Sequence, residues 1–195
     1  MLNQLFKKPK LIIVVGDKRD IISDVLFHVF SKYTKTKKVK EKVGVDILLS
    51  FKVLILKTKS ENPEYLINLI NKADESIVVI NSLNDNVQKL IDILPESASL
   101  VLNYDVREIG DLENKVKNQV LTFGFEEGAS FKAEIIELEG KNSLKVNHRG
   151  NSIPFWSVND LGDDYIYSAL AASAAGEILG VNLLRISEAL KDYQG

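Results

Sequence analysis

Apolar positions in the first half of the chain follow two alternating periods. Lys10–Val15 reads KLIIVV, a continuous run rich in β-branched residues that ends at Gly16, which is the pattern of a strand buried on both faces. From Asp20 to Tyr33, Ile21, Ile22, Val25, Leu26, Val29 and Phe30 recur three and four apart, predicting a helix that lies back on a sheet. Lys32–Lys42 follows as a lysine-rich connection. Val45–Leu49 and Lys52–Leu56 read as further strands, and Pro63 opens a helix carrying Leu66, Ile67, Leu69 and Ile70. Ser76–Ile80, Val87–Leu94 and Ser99–Leu102 continue as strand, helix and strand. This order predicts an α/β fold: a mostly parallel, doubly wound sheet with helices on both faces and right-handed crossovers.

The pattern changes after Asp105. Gln119–Phe123, Ser130–Leu138, Ser143–His148 and Ser152–Val158 read as strands, and the turn-rich links Gly140–Asn142 and Arg149–Asn151 join the last three as antiparallel hairpins. The chain then turns helical. Asp164–Leu179 contains the small-residue run SALAASAAGEIL, Gly180 sits as a C-terminal glycine, and Asn182 caps a last helix over Leu184–Tyr193. The expected organisation is one unit over 1–195, with a parallel α/β part (1–118), a small antiparallel β part (119–158) and C-terminal helices (159–195).

Composition narrows the function classes. At 195 residues and 45% hydrophobic, the chain can bury a full core. Twenty-five basic against 27 acidic residues give a net charge of −2, so there is no global electrostatic case for nucleic acid or membrane. The absence of cysteine excludes disulfides and thiolate metal sites. No apolar run approaches membrane-spanning length, and MLNQLFKKPK lacks the order of a signal peptide, so a soluble cytoplasmic protein is expected. His28 and His148 have no neighbouring cysteine or second histidine with which to ligate a metal. Lysines 32, 35, 37, 38, 40 and 42 form a local cluster that reads as a solvated loop, or as a grip for an acidic partner or nucleic acid. No interleaved aromatics support base stacking. Phe155 and Trp156 read as packing residues. Gly16 suits a tight βα turn, and Asp20 suits the positive end of a helix.

Three pieces between about Leu121 and Tyr193 carry a family likeness. TFGFEEGASFKAEIIELEG (Thr122–Gly140), GDDYIYSALAA (Gly162–Ala172) and EILGVNLLRISEALKDY (Glu177–Tyr193) stand in the order and spacing of a strand pair, a helix start and a helical ending. Together they resemble the central, ATP-binding domain of the Mur ligases, which add amino acids to peptidoglycan precursors. Folylpolyglutamate synthetase has a related domain. VLNYD (Val101–Asp105) is similar to the family's strand end, and LIIVVGDKRDIISDVLFHVF (Leu11–Phe30) occupies the place of its phosphate loop and first helix. The likeness implies a P-loop NTPase-like sheet.

The same resemblance implies a dismantled site. Gly16 matches the loop's first glycine, but Arg19 stands at the second, Asp20 at the phosphate-binding lysine, and Ile21 and Ile22 at the magnesium-binding hydroxyls. Lys57-Thr58-Lys59 follows the strand where a metal-binding glutamate is expected, Asn81 stays without its histidine, and Asp164-Tyr165 replaces a His-Asn pair at adenine. The family's carbamylated-lysine loop, N-terminal substrate domain and C-terminal amino-acid domain have no counterpart in the sequence. What is implied is a degenerate phosphate loop at Gly16, Lys18 and Arg19, and a former nucleotide crevice at Asn81, Asp105, Asp164 and Tyr165. The expectation is a non-catalytic binding or scaffolding domain without a cofactor. Its partner would be another protein, a cell-wall precursor or a second copy. Two alternatives stay open: a divergent amide ligase using ATP and magnesium through Lys18 and Arg19, and an anion- or nucleic-acid-binding module using Lys32–Lys42.

Overall fold

Strand β1 (Lys10–Val15) lies between β3 (Val53–Lys57) and β4 (Glu75–Ile80), parallel to both. On the β4 side follow β5 (Ser99–Asn103) and β6 (Val120–Gly124), and β2 (Thr36–Val39) closes the opposite edge beside β3. The computed structural model describes residues 8–40, 43–138, 141–155 and 162–193. Within them the strands form one nine-stranded sheet, β2-β3-β1-β4-β5-β6-β7-β8-β9, where β7 is Phe131–Leu138, β8 is Lys141–His148 and β9 is Asn151–Phe155.

Successive side chains of a strand point to opposite faces, so each central strand feeds two cores. Ile12, Val14, Ile55, Ile77, Val79 and Val101 pack on one face beneath α1 (Arg19–Ser31), α6 (Asp163–Ile178) and α7 (Leu183–Leu190). Leu11, Ile13, Leu54, Leu56, Val78 and Ile80 pack on the other beneath α2 (Val45–Ser50), α3 (Pro63–Ile70) and α4 (Asp85–Asp92). This double burial explains why the central strands read as unbroken apolar runs. Each such fully buried side chain contributes about 1.5–3 kcal/mol.

Three elements differ from expectation. Val45–Ser50 is helix α2, not a strand: Gly44 accepts the first helical hydrogen bonds from Ile47 and Leu48, and Leu48 is buried in the second core. So short an apolar run has no readable period. The strand slot beside β3 is filled instead by Thr36–Val39, from within the lysine-rich connection. As an edge strand, β2 buries little and keeps polar side chains, so its sequence looks like a loop. Finally, β6 pairs in parallel with β5, and β7 begins in parallel with β6, so only β7-β8-β9 is antiparallel. The antiparallel part is a continuation of the main sheet and starts later than residue 119. Lys42, Gly140 and Trp156 lie outside the described residues.

Helix α6 runs through the first core. Apart from Tyr167, every residue from Tyr165 to Gly176 is buried, and the helix packs on α1. Alanine, serine and glycine permit this, because larger side chains would hold the neighbouring elements apart. At Gly176 an added Cβ would lie 2.4 Å from Cδ1 of Ile186, itself fully buried on α7. Gly176→Val is therefore expected to lower the unfolding free energy by about 2 kcal/mol through overpacking. Urea denaturation measures this, and Ile186→Val in the same chain should recover part of the loss.

Candidate functional site

In an open α/β sheet the natural ligand crevice lies outside the carboxyl ends of the strands, where the chain order reverses. Here it lies at the end of β1, where the chain, having placed β2 and β3 on one side of β1, crosses to β4 on the other. The loop after β1 starts at Gly16, with φ +86. Only glycine fits, because an added Cβ would lie 2.7 Å from both the backbone N and O of Ser82, in the loop after β4. The Asp17 N–H donates to Ser82 Oγ at 2.7 Å, and Asn81 Nδ2 donates to the Asp17 carbonyl at 3.2 Å. Asn103, at the end of β5, donates through Nδ2 to Asn81 Oδ1 at 3.0 Å and accepts the Asp105 N–H at 3.1 Å. One hydrogen-bonded path therefore ties the loops after β1, β4 and β5 together.

The charged residues of the first loop are also engaged. Lys18 precedes α1 in a left-handed conformation, φ 57, and its Nζ donates to Asp164 at 2.8 Å. That hydrogen bond and the carboxylate's charge hold the Lys18 ammonium above its usual range. Both side chains are about half exposed (55% and 48%), so solvent screens this link from α1 to α6. Arg19 turns back and donates to the Gly16 carbonyl at 3.1 Å. Asp20, in the first turn of α1, pairs with Lys57 at the end of β3.

Asp105 anchors the other side of the crevice. Its carboxylate accepts the Phe125 N–H at 2.8 Å, the Glu126 N–H at 3.0 Å and the Tyr167 hydroxyl at 2.7 Å. One side chain thus fixes the β6–β7 turn and α6 against the end of β5. Gly124 allows the approach, since a Cβ there would fall 2.2 Å from Asp105 Oδ1. Tyr167 packs edge-on against Phe123 and Phe125. Burial, then the hydrogen bond to Asp105, push its phenol pKa well above the ordinary 10.0.

The structure brings Gly16, Arg19, Asn81 and Asp105 to the crevice and places Lys18 and Asp164 at its rim. Tyr165 goes elsewhere. It is 5% exposed, stacks on Tyr193 at 5.4 Å and points its hydroxyl towards the Leu190 carbonyl, within the α6–α7 core. The tyrosine that faces the crevice is Tyr167. Its sequence signal was its place three residues beyond Asp164, on the same face of the helix. Ser82 was also missed, because a lone serine after a strand gives no sign of its long-range contact. Among the described residues no group of three or more histidines or carboxylates is placed to hold an ion.

Elsewhere the lysine cluster is dispersed. Lys32 pairs with Asp192, Lys38 with Asp24, and Lys35 and Lys37 lie 5.0 and 5.4 Å over the Phe51 ring. His28 Nε2 contacts the Ala189 carbonyl at 2.8 Å. His148 stacks on Phe131 at 3.9 Å, with Nδ1 2.5 Å from the Ser130 carbonyl and Nε2 2.5 Å from Glu177. That last contact does not have the alignment of a hydrogen bond. Among the described residues no helix is long and apolar enough to cross a membrane.

Two measurements follow from this geometry. Asp105→Ala leaves two backbone donors and a phenol without their acceptor and should cost about 3 kcal/mol of stability by urea denaturation. Tyr165 and Tyr167 both have folded-state pKa values raised above the ordinary 10.0, in each case chiefly by burial. The neutral phenol is thus favoured in the folded state, so its contribution is complete below about pH 10 and is lost as pH rises further. The denaturation midpoint should hold up to about pH 10 and fall above it, and Tyr167→Phe should shallow that fall.

Comparison with known proteins agrees with this architecture. No family profile matches the chain. A UDP-N-acetylmuramate–L-alanine ligase of Caldicellulosiruptor bescii is 27% identical over 132 residues, 67% of this chain and 29% of that protein. One of Dictyoglomus turgidum is 30% identical over 118 residues, 60% of this chain and 25% of that protein. Among solved structures, MurF from Acinetobacter baumannii superposes with a TM-score of 0.75 at 17% identity, covering 99% of this chain and 47% of that one. A type C pseudomurein peptide ligase from Methanothermus fervidus gives 0.69 at 16% identity, covering 97% and 50%. The chain spans little more than a quarter of the curated relatives and about half of the solved ones. In sequence the chain is similar to part of the UDP-N-acetylmuramate–L-alanine ligases, and in fold to the solved Mur ligases.

Proposed function

We propose that this chain is a Mur-ligase-like domain that works by binding or scaffolding, without ATP-driven amide formation. The observation that carries the reading is the closed loop after β1. A phosphate loop needs free backbone N–H groups around an open turn, a lysine for the terminal phosphates and a hydroxyl for magnesium. Here the Asp17 N–H is taken by Ser82, and the open side of Gly16 is filled by the Ser82 backbone. Asp20 occupies the position that the resemblance assigns to the lysine, and an aspartate there repels a triphosphate. At the end of β3, where the resemblance calls for a metal-binding carboxylate, Lys57 instead pairs with Asp20. An ammonium cannot ligate a divalent cation. These residues do not fit Mg·ATP in the ligase manner.

Kinship with UDP-N-acetylmuramate–L-alanine ligases supports a cell-wall precursor, or a protein that handles one, as the partner. The rival reading, a divergent ligase, needs Lys18 and Arg19 to reach a triphosphate. Lys18 is held by Asp164, and Arg19 by the Gly16 carbonyl.

Calorimetric titration with Mg·ATP, paired with thermal denaturation, separates the two. A ligand that binds only the folded state adds about 2.7 kcal/mol at roughly 100 times its Kd, a readily seen shift. The binding reading expects no saturable heat and no shift at millimolar Mg·ATP. Micromolar affinity, with ATP turned over in the presence of an amine and a carboxylate acceptor, would establish the ligase instead.

A further inference from the structure

Beside the closed loop lies an open cleft of about 400 Å³ at the carboxyl ends of β1, β2 and β3. Four cations line it, Arg19, Lys40, Lys57 and Lys59, against two carboxylates, Asp20 and Glu61. In a chain whose net charge is −2, this is a local reversal of sign. We infer that the cleft is a metal-independent site for a phosphate or pyrophosphate group, with the Asp20 carboxylate as an internal placeholder for that anion. The inference rests on the reading above, that the crevice no longer takes Mg·ATP in the ligase manner.

Several independent features point the same way. Lys57 is largely enclosed, with a side chain 18% exposed, yet its partner Asp20 is 68% exposed. A cation so enclosed keeps an anion beside it, whereas an exposed carboxylate returns to water at little cost. An incoming phosphate can therefore take the place of Asp20 on Lys57. Among the described residues neither Lys40 nor Lys59 has an ion-pair partner, so both stand free to add charge-assisted hydrogen bonds. The N-terminus of the 13-residue helix α1 opens on the same side, and no side chain caps its first turn.

Backbone strain marks both loops of the cleft. Of the three non-glycine residues with positive φ among the described residues, Lys18 (φ 57) adjoins Arg19, and Ser60 (φ 60) lies between Lys59 and Glu61. Ser60 is fully buried, and its hydroxyl has no hydrogen-bond partner. Such strain persists only where surrounding structure enforces it, and it concentrates at ligand clamps. The cleft's polar, cationic wall suits the phosphate end of a ligand. Where the rest of such a ligand lies is set by the open side towards solvent.

The test uses the whole chain in EDTA, with inorganic phosphate, pyrophosphate and citrate as probes, titrated calorimetrically. Saturable pyrophosphate binding that weakens with added salt is expected, with phosphate weaker and citrate weaker still. Lys59→Ala should weaken it about tenfold, as loss of one close cation does. Asp20→Asn should strengthen it by releasing Lys57, a sign that a merely structural ion pair would not give. Circular dichroism confirms that each variant folds. The inference is overturned if neither the wild type nor Asp20→Asn binds millimolar pyrophosphate in EDTA, or if binding appears only when magnesium is added. Failure here leaves the binding reading standing, because that reading is decided separately by Mg·ATP.

Discussion

The crevice is organised by the close approach of two loop backbones at Gly16 and Ser82. A glycine with positive φ lets the loop after β1 lie against the loop after β4, and the Asp17 N–H then finds its acceptor inside the protein. Everything around the crevice follows from that contact. Asn81 and Asn103 extend it across β4 and β5, and the path ends at Asp105, which gathers the β6–β7 turn and α6. The Asp17 N–H, which could otherwise meet a ligand at this point, is bonded to the Ser82 hydroxyl.

Around this centre lies the fold that the chain shares with solved Mur ligases. The sheet order, the two cores and the small-residue helix α6 all depend on apolar volume and close packing, and none of them depends on the chemistry of the crevice. The charge pattern at the strand ends is what differs from a magnesium–phosphate site. Acid stands at the loop and bases stand at the end of β3, the arrangement from which an anion site without a metal is inferred. Fold and site are separable in this way because the site rests on a few loop side chains, whereas the fold rests on many buried ones.

Much of the fold was legible in the sequence because most central strands are buried on both faces and most helices on one. Lys10–Val15 and the Ile22, Val25, Leu26 and Val29 stripe could be read directly. β2 could not, because an edge strand carrying lysines has no apolar alternation, and α2 could not, because six residues fix no period. At the crevice, Gly16, Arg19, Asn81 and Asp105 were named through the family resemblance, and the structure places them in or beside the loops after β1, β4 and β5. The contacts that decide the chemistry were not legible. Asp20 with Lys57 is separated by 37 residues, Asp17 with Ser82 by 65 and Lys18 with Asp164 by 146, and no local pattern encodes such pairings. Tyr165 was read as a crevice residue because the resemblance pointed to its position; helix phase puts Tyr167 there instead.

The most direct test of the closed loop is amide-resolved nuclear magnetic resonance of the Gly16–Ile22 segment. The account predicts that the Asp17 N–H, bonded to Ser82, exchanges slowly with solvent and keeps its chemical shift as Mg·ATP is raised to millimolar concentration. Rapid exchange of that amide, with saturable shifts along the loop as nucleotide is added, would show an open phosphate cradle and would contradict it.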